Sequence, residues 1–138
     1  GHRRRERRAV TTTAPALQML AVAGGAAIGA VLRWLAGLAL NGLWHGFPLG
    51  TLFVNCTGGL AIGFLLVWLE GSAADWPRLL LLTGLLGGFT TFSAFSAESL
   101  AMVARAQWGW AAAHSVAHVV GALASAALGT AIARAWFG

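Results

Sequence analysis

Charged side chains are scarce in this sequence. Only 9% of its 138 residues are charged and 58% are hydrophobic, whereas ordinary soluble domains carry about 25% charged residues. A soluble globular protein is therefore excluded. Cysteine is scarcer still, since Cys56 is the only one. This excludes an intrachain disulfide, and a lone thiol in an apolar helix is most often inert packing.

The few charges lie far apart and leave long apolar stretches between them. These stretches separate Arg8 from Arg33, Arg33 from Glu70, Arg78 from Glu98, and Arg105 from Arg134. A helix needs about 20 mainly apolar residues to cross a membrane. We therefore predict an all-α integral membrane protein with transmembrane helices near 14–40, 49–69, 79–104 and 108–135. Residues 14–138 would form a single domain.

The net charge of +5 comes mostly from the N-terminal tail, because residues 3–8 contain five arginines and one glutamate. Such a run is typical of a solvated tail near anionic lipid headgroups. We expect residues 1–13 to be such a tail and expect no nucleic-acid partner. Gly1 and His2 are expected to be the remnant of an expression tag.

Small and polar residues share one face in three of the predicted spans. Small residues let helices approach closely, and polar residues turn away from lipid. The stripes are Gly25, Gly29 and Arg33 in the first span, Thr51, Asn55, Gly58 and Gly59 in the second, and His114, His118, Gly121, Ser125 and Gly129 in the fourth.

The third predicted span changes character in its middle. It begins as an ordinary apolar helix over residues 79–86 and continues as GGFTT at 87–91. Glycine costs about 1 kcal/mol relative to alanine in a helix, and β-branched threonines add strain. We predict that the helix is broken here. Freed backbone inside a membrane must be satisfied by protein, water or an ion, so the break indicates a buried functional centre.

Neutral hydrogen-bond donors surround the predicted break. An amide, several hydroxyls and free backbone N–H groups can replace water around a small anion without binding it too tightly for exit. The pattern therefore favours an ion pathway. Phe92 and Phe95 share one helix face, and their positive ring edges can also favour an anion, although ordinary aromatic packing stays open. The polar members are Asn55, Thr90, Thr91, Ser93, Ser96 and Glu98.

Four titratable residues have competing interpretations. Glu98 is a candidate entrance group, with an end-of-helix carboxylate and a proton or substrate site as alternatives. Arg33 is expected near a membrane interface, where it either pairs with a carbonyl, carboxylate or headgroup or recruits anions. His114 and His118 have the spacing of two metal ligands on one helix. No third ligand is evident in the sequence, so helix–helix hydrogen bonds or a wet pore wall are favoured.

The run GGFTTFSAFSAE at residues 87–98 closely resembles the signature of the Fluc (CrcB) fluoride ion channels. Residues 50–59, GTLFVNCTGG, and residues 29–34, which end in Leu-Arg-Trp, resemble two further motifs of that family in the same order. The resemblance covers essentially the whole chain beyond the tail. The fourth predicted span departs from the family pattern, because His114 and His118 align with a polar track of a tyrosine and serines, and Ala122 stands in place of a hydroxyl.

The resemblance implies a fluoride-selective channel of the bacterial plasma (inner) membrane that lets F⁻ leave passively and relieves toxicity. It implies an antiparallel dual-topology homodimer with pores at the subunit interface and a structural Na⁺ at its centre. The backbone carbonyls of Gly87 and Thr90 would bind that ion. The implied pathway residues are Thr51, Asn55, Thr91, Phe92, Ser93, Phe95, Glu98 and His118, with Arg33 nearby.

The alternative function is a small dual-topology transporter of cationic drugs, also a four-helix dimer. Such a transporter needs a deeply buried carboxylate to exchange protons and substrate. Glu98 is the only candidate, and the sequence predicts a peripheral position for it. A non-conducting scaffold would explain the glycine stripes but not the donor cluster. No catalytic triad or catalytic metal motif supports an enzyme.

Overall fold

The computed structural model describes residues 12–138, and most of the predicted N-terminal tail, residues 1–11, lies outside this range. Helix α1 is Pro15–Leu40 and α2 is Leu49–Trp68. Helix α3 has three continuous segments, Trp76–Arg78, Leu79–Leu86 and Gly87–Phe89. Helices α4, Phe92–Ala104, and α5, Trp108–Phe137, complete the described chain.

Four apolar helical stretches are long enough to cross a membrane, as the sequence predicts. They are Pro15–Leu40, Leu49–Trp68, Trp76–Ala104 and Trp108–Phe137. The third stretch combines α3 with α4 and begins three residues before the predicted start at 79. Pro77 explains this earlier start, because proline suits the first turn of a helix. The described chain is thus a four-span, all-helical membrane protein.

Contacts among helix ends and loops define the two ends of the bundle. At one end, the Thr13 backbone and hydroxyl donate hydrogen bonds to Asp75, and Arg134 Nη2 lies 3.2 Å from Glu70 Oε1. At the other end, the Trp44 ring packs edge-on against Trp110 with a centroid distance of 5.6 Å. The start of α1 and the end of α5 therefore lie on the same side.

Glycines bring the backbones of neighbouring helices into direct contact along two glycine seams. In the first seam, an added Cβ at Gly29 would lie 2.1 Å from the Leu85 carbonyl oxygen, and one at Gly25 would lie 2.4 Å from that of Leu80. The second seam joins α2 to α5, where a Cβ at Gly63 would lie 2.0 Å from the Ala126 carbonyl oxygen. Larger side chains would force these helices apart.

The segment Leu79–Leu86 is π-helical, whereas the sequence predicts an ordinary α-helix here. At its end, Gly87 N donates to the carbonyls of Gly84 and Leu82. π-Helical turns are rare and are often found at functional sites. Gly84 lies against α1, where an added Cβ would be 2.8 Å from the Val22 carbonyl oxygen. The unusual helical geometry thus occurs where α3 packs most closely on α1.

We predict that Gly29→Ala destabilises the protein by about 1–3 kcal/mol, because its new methyl group would overlap the α3 backbone. The matched control is Gly24→Ala in the same helix, since a Cβ at Gly24 meets nothing within 4 Å. The control should be neutral or slightly stabilising. Reversible unfolding in mixed micelles measures the free energy of unfolding of both variants. Equal effects of the two substitutions would contradict the close backbone contact at Gly29.

We also predict an acid-sensitive contact at the start of α1. Hydrogen bonds from the Thr13 hydroxyl and then from Gln18 hold the pKa of Asp75 below its ordinary value of 3.8. A lowered folded pKa contributes stability that is fully present above the unfolded pKa and is lost as pH falls through the folded value.

Asp75→Asn should therefore lower the Tm at neutral pH, and its difference from the original protein should shrink as the pH falls below 3.8. Glu70→Gln is the control, because its exposed ion pair with Arg134 contributes little. Thermal unfolding over a pH series provides the measurement. A constant Asp75→Asn effect across the series would rule out the titration.

Candidate functional site

The third span is interrupted by two residues with extended backbone. Helix α3 ends at Phe89, and Thr90 has ψ 155° while Thr91 has φ −149° and ψ 115°. Gly87 and Gly88, which were predicted to be part of the break, are still helical. The Thr91 hydroxyl accepts the Ala94 N–H at 3.0 Å and caps α4. The interruption is thus confined to the two threonines.

Asn55 of α2 satisfies the backbone of the interruption. Its Oδ1 accepts the Thr91 N–H at 2.8 Å, and its Nδ2 donates to the Thr91 carbonyl at 3.0 Å. The same Nδ2 lies 3.0 Å from His118 Nδ1. The two contacts with Thr91 fix which end of the Asn55 amide is nitrogen, so Nδ2 donates to His118 Nδ1. His118 Nδ1 is therefore an acceptor, and the neutral ring carries its proton on Nε2. Asn55 therefore joins the interruption to α5.

A second side chain reaches the interruption from α1. Arg33 Nε donates to the Gly88 carbonyl at 3.1 Å. A carbonyl is one of the partners predicted for Arg33, and this one lies near the middle of the third span. The contact satisfies a carbonyl near the end of α3. Arg33 and Asn55 thus support the two sides of the interruption.

The Gly87 and Thr90 carbonyls are the predicted Na⁺ ligands. In an uninterrupted helix the Gly87 carbonyl would accept the Thr91 N–H, but this N–H donates to Asn55 instead. Gly87 is exposed, and Thr90 is extended and no longer helical. Carbonyl oxygens are suitable ligands for hard cations. The local geometry therefore fits the predicted ligands.

Phe92 and Phe95 lie together on α4, with ring centroids 5.5 Å apart. Phe92 is 77% exposed in the single chain. Phe95 instead packs against the rings of His114 and His118, at centroid distances of 5.3 and 4.7 Å. The two phenylalanines thus occupy different environments, one on the surface of the chain and one against α5.

Glu98 is more enclosed than the sequence predicts. Its Oε2 accepts the Thr51 hydroxyl at 2.6 Å, and its Oε1 lies 3.1 Å from His114 Nε2. The Glu98 side chain is 18% exposed. Its carboxylate thus has partners on both α2 and α5, and it also lines a cavity beside the loop between α1 and α2.

The partner of His114 on α4, Ser99, is not among the predicted polar residues. Ser99 Oγ lies 2.7 Å from His114 Nδ1 and 3.3 Å from Ser115 Oγ. The available signal was that Ser99 lies four residues after Phe95, hence on nearly the same face of α4. The buried histidine is thus held on both ring nitrogens, by Ser99 and Glu98.

Two cavities adjoin these residues. A groove of about 450 Å³ contains Asn55, Thr91, Phe92, Phe95 and His118 in its wall. A second cavity of about 270 Å³ is lined by Glu98 together with Arg105 and residues of the loop between α1 and α2. His114 is fully buried beside both Glu98 and His118. It therefore lies between the linings of the two cavities.

Most of the predicted polar residues, together with Ser99, thus form a nearly continuous network. Ser93 Oγ is 3.2 Å from the Thr91 hydroxyl, whereas Ser96 donates to the Phe92 carbonyl at 2.9 Å. The network combines hydroxyl, amide and imidazole groups with a single carboxylate. Its chemistry suits reversible contact with a small ion rather than covalent catalysis. In chain order its members are Thr51, Asn55, Thr91, Ser93, Glu98, Ser99, His114 and His118.

We predict that Asn55→Asp destabilises the protein by about 1–3 kcal/mol, because it removes both amide donors and leaves the Thr91 carbonyl unpaired. Asn41→Asp is the matched control. Asn41 accepts the Gly50 N–H through Oδ1 at 2.7 Å, and a carboxylate preserves that bond near a helix N-terminus. Unfolding in mixed micelles should separate the two variants, and equal stabilities would argue against the Asn55 contact.

Comparison with known proteins identifies the family. The sequence model described as "CrcB-like protein, Camphor Resistance (CrcB)" matches residues 20–130. A protein of Aromatoleum aromaticum is 49% identical over 121 residues, which cover 86% of this chain and 92% of that protein. One of Bordetella petrii is 48% identical over 129 residues, covering 91% and 98%.

A third relative, from Pseudomonas aeruginosa, is 46% identical over 114 residues, covering 80% of this chain and 89% of its own. All three relatives are named "Fluoride-specific ion channel FluC". The matched region includes the interruption, Asn55 and both histidines of α5. The resemblance seen in the sequence is confirmed, and the chain belongs to the CrcB family.

Proposed function

We propose that this protein is a fluoride-selective ion channel and not an enzyme. Fluoride is the proposed ion because the relatives of this chain are named fluoride-specific ion channels. The four spans and the bacterial relatives are consistent with a multi-pass protein of the inner membrane. Residues 14–138 would form one transmembrane domain. A passive pathway would let F⁻ leave the cell down its gradient after neutral HF has crossed the lipid and ionised.

The pathway would follow the neutral donors around the interruption. Asn55, Thr91 and His118 share the wall of the groove, and Thr51 and Glu98 continue toward the second cavity. Ser93 contacts Thr91 at the outer side. A small anion must exchange its water shell for closely spaced donors while its net binding stays weak. Uncharged amide and hydroxyl groups meet both requirements.

Phe92 and Phe95 would present ring edges to the ion. The edge of an aromatic ring carries partial positive charge and its face partial negative charge. Phe95 stacks on the His114 ring and packs at a tilt against the His118 ring, so its orientation is constrained. Phe92 is on the open side of the groove. Together the rings would contact the anion without introducing a fixed cation.

A second copy of the chain would complete the pathway as an antiparallel homodimer. Ser93, Gly87 and Phe92 are exposed in the single chain although they lie within a membrane span. A hydroxyl and a carbonyl released from helical bonding are costly in hydrocarbon. Covering them with another protein surface removes that cost. Apart from the N-terminal tail, Arg78 and Arg134 on one side are balanced by Arg33 and Arg105 towards the other, which suits opposite orientations of two copies.

Na⁺ would bind between the two copies through the Gly87 and Thr90 carbonyls. The ion would supply positive charge where carbonyl dipoles converge, and so stabilise the interruption. Arg33 would serve as a positioning residue, because it binds the adjacent Gly88 carbonyl. These assignments are supported by the loss of the helical Thr91–Gly87 bond.

The drug-transporter alternative is not favoured. Glu98 is partly enclosed, as such a mechanism requires, but its carboxylate already has Thr51 and His114 as partners. The named relatives are channels. A transporter would also show proton-coupled movement of an organic cation.

Liposomes that contain the purified protein test the proposed channel directly. With K⁺ permeability supplied by an ionophore, a fluoride electrode should record rapid F⁻ efflux, and chloride-loaded liposomes should show far slower efflux. Protein-free liposomes provide the background. Absence of F⁻ efflux, or equal chloride passage, would refute a fluoride-selective channel.

Phe95→Ile tests the proposed ring contact. The substitution keeps an apolar side chain and removes the ring edge, so F⁻ flux should fall by about tenfold or more, equivalent to about 1.4 kcal/mol in the barrier. Phe64→Ile is the matched control, because Phe64 packs against Phe137 away from the interruption. Undiminished flux in Phe95→Ile would eliminate the ring-edge contact.

A further inference from the structure

Three groups that can ligate a metal converge between α4 and α5. Glu98, His114 and His118 each offer one ligand atom, and these atoms lie within 4.8 Å of one another. The histidines are 0% and 3% exposed. A cluster of this kind is therefore enclosed by protein, unlike the common clusters of surface carboxylates. The prediction that no third ligand accompanies the two histidines is wrong, because Glu98 comes from another helix.

One nitrogen of this cluster is buried without a partner. Among residues 12–138, His118 Nε2 has no hydrogen-bond partner, while His118 Nδ1 contacts Asn55. Buried polar atoms almost always have a partner in folded proteins. The exception indicates that a further ligand completes this position. A fluoride pathway does not require two imidazoles and a carboxylate to be enclosed together.

We propose that Glu98, His114 and His118 form an inhibitory binding site for Zn²⁺. Two histidines and a carboxylate are a ligand set of zinc sites that keep one coordination position open. Ligands bonded to a tetrahedral zinc ion lie roughly 3.4 Å apart. His114 Nε2 and Glu98 Oε1 are already 3.1 Å apart. Side-chain rotation of His118 would close the remaining distance.

Ser99 supports His114 in the orientation that the site requires. Its hydroxyl lies 2.7 Å from His114 Nδ1 and can accept a hydrogen bond from the Nδ1–H of a zinc-bound ring. In the metal-free chain Nε2 donates to Glu98 Oε1, and on zinc binding its proton would move to Nδ1, which leaves the Nε2 lone pair for the metal. Zinc-binding histidines generally donate their second N–H to an oxygen in this way. The serine thus fixes the ring and would raise metal affinity.

Asn55 links the zinc site to the interruption. Its amide donates to His118 Nδ1 in the metal-free chain, so the ring proton is on Nε2. Binding of Zn²⁺ at Nε2 would transfer that proton to Nδ1, with no change in the charge of the ring. The Asn55 amide could then no longer donate to Nδ1. Zinc would therefore both occupy the pathway and disturb the residue that holds Thr91.

Metal binding to the purified full chain in detergent tests the site independently of transport. Calorimetry should record Zn²⁺ binding, and Co²⁺ should give the intense visible absorption of a tetrahedral complex. Glu98→Gln, His114→Gln and His118→Gln should each weaken Zn²⁺ binding by at least about 100-fold. Ser99→Ala should weaken Zn²⁺ binding by about 10–100-fold, the usual effect of removing a residue that hydrogen-bonds to a metal ligand.

His45→Asn is the matched control, because His45 lies in the exposed loop between α1 and α2. Its Zn²⁺ affinity should equal that of the original protein. Gel filtration checks the folding of every variant, and Ser99→Ala decides the outcome if the histidine variants do not fold. Absence of binding, loss of binding in His45→Asn, or unchanged binding in folded cluster variants would overturn the site.

The inhibitory effect rests on the proposed channel function and needs a second measurement. Zn²⁺ should block F⁻ efflux from liposomes containing the original protein, and His118→Gln should resist Zn²⁺ relative to its own metal-free flux. Binding without block would overturn the inhibitory role. Absence of efflux before Zn²⁺ is added would instead contradict the channel function, while the binding result would still decide whether the metal site exists.

Discussion

The paired hydrogen bonds between the Asn55 amide and the Thr91 backbone make the interrupted third span compatible with a membrane. A peptide group without helical partners is costly in hydrocarbon, where no water replaces the lost bonds. Asn55 supplies an acceptor to the Thr91 N–H and a donor to the Thr91 carbonyl, which belong to the two peptide groups on either side of this residue. Its remaining N–H contacts His118. One uncharged side chain therefore stabilises the extended residues and connects three helices.

The surrounding structure holds this amide in register with its target. The α1–α3 seam ends directly before the interruption, where Gly88 packs against the Ala26 backbone. Arg33 binds the Gly88 carbonyl from the same helix. On the other side, the α2–α5 seam fixes the distance between Asn55 and His118. Two pairs of closely packed helices thus meet at the interruption, and each contributes a side chain to it.

Hydropathy and residue spacing predict much of this arrangement because they report local properties. Wide gaps between charges locate four spans, and inward stripes locate Asn55, His114 and His118. The sequence does not locate the interruption to the residue. The glycine pair stays helical where Gly88 packs on α1, and the helix stops where Thr91 finds partners in Asn55 and Ala94.

Contacts across helices are the part that the sequence cannot supply. Glu98 and His114 lie 16 residues apart, and their meeting depends on the rotation of α4 and α5 about their axes. That rotation follows from packing over the whole helix rather than from either residue. The same reason explains why Ser99 is recognised as a partner of His114 only in the folded chain.

The glycine seams also determine how α1 and α3 align along their lengths. Their closest contacts involve main-chain atoms, which are the same in every residue and so cannot distinguish one alignment from another. One alignment is distinguished from another by the positions of the glycines, which have no side chain. Sliding α1 by one residue would place Ala26 or Ala30 against carbonyls that now face Gly25 and Gly29. The alignment of α1 on α3 therefore depends on which positions are glycine, and one added methyl group at such a position is enough to change it.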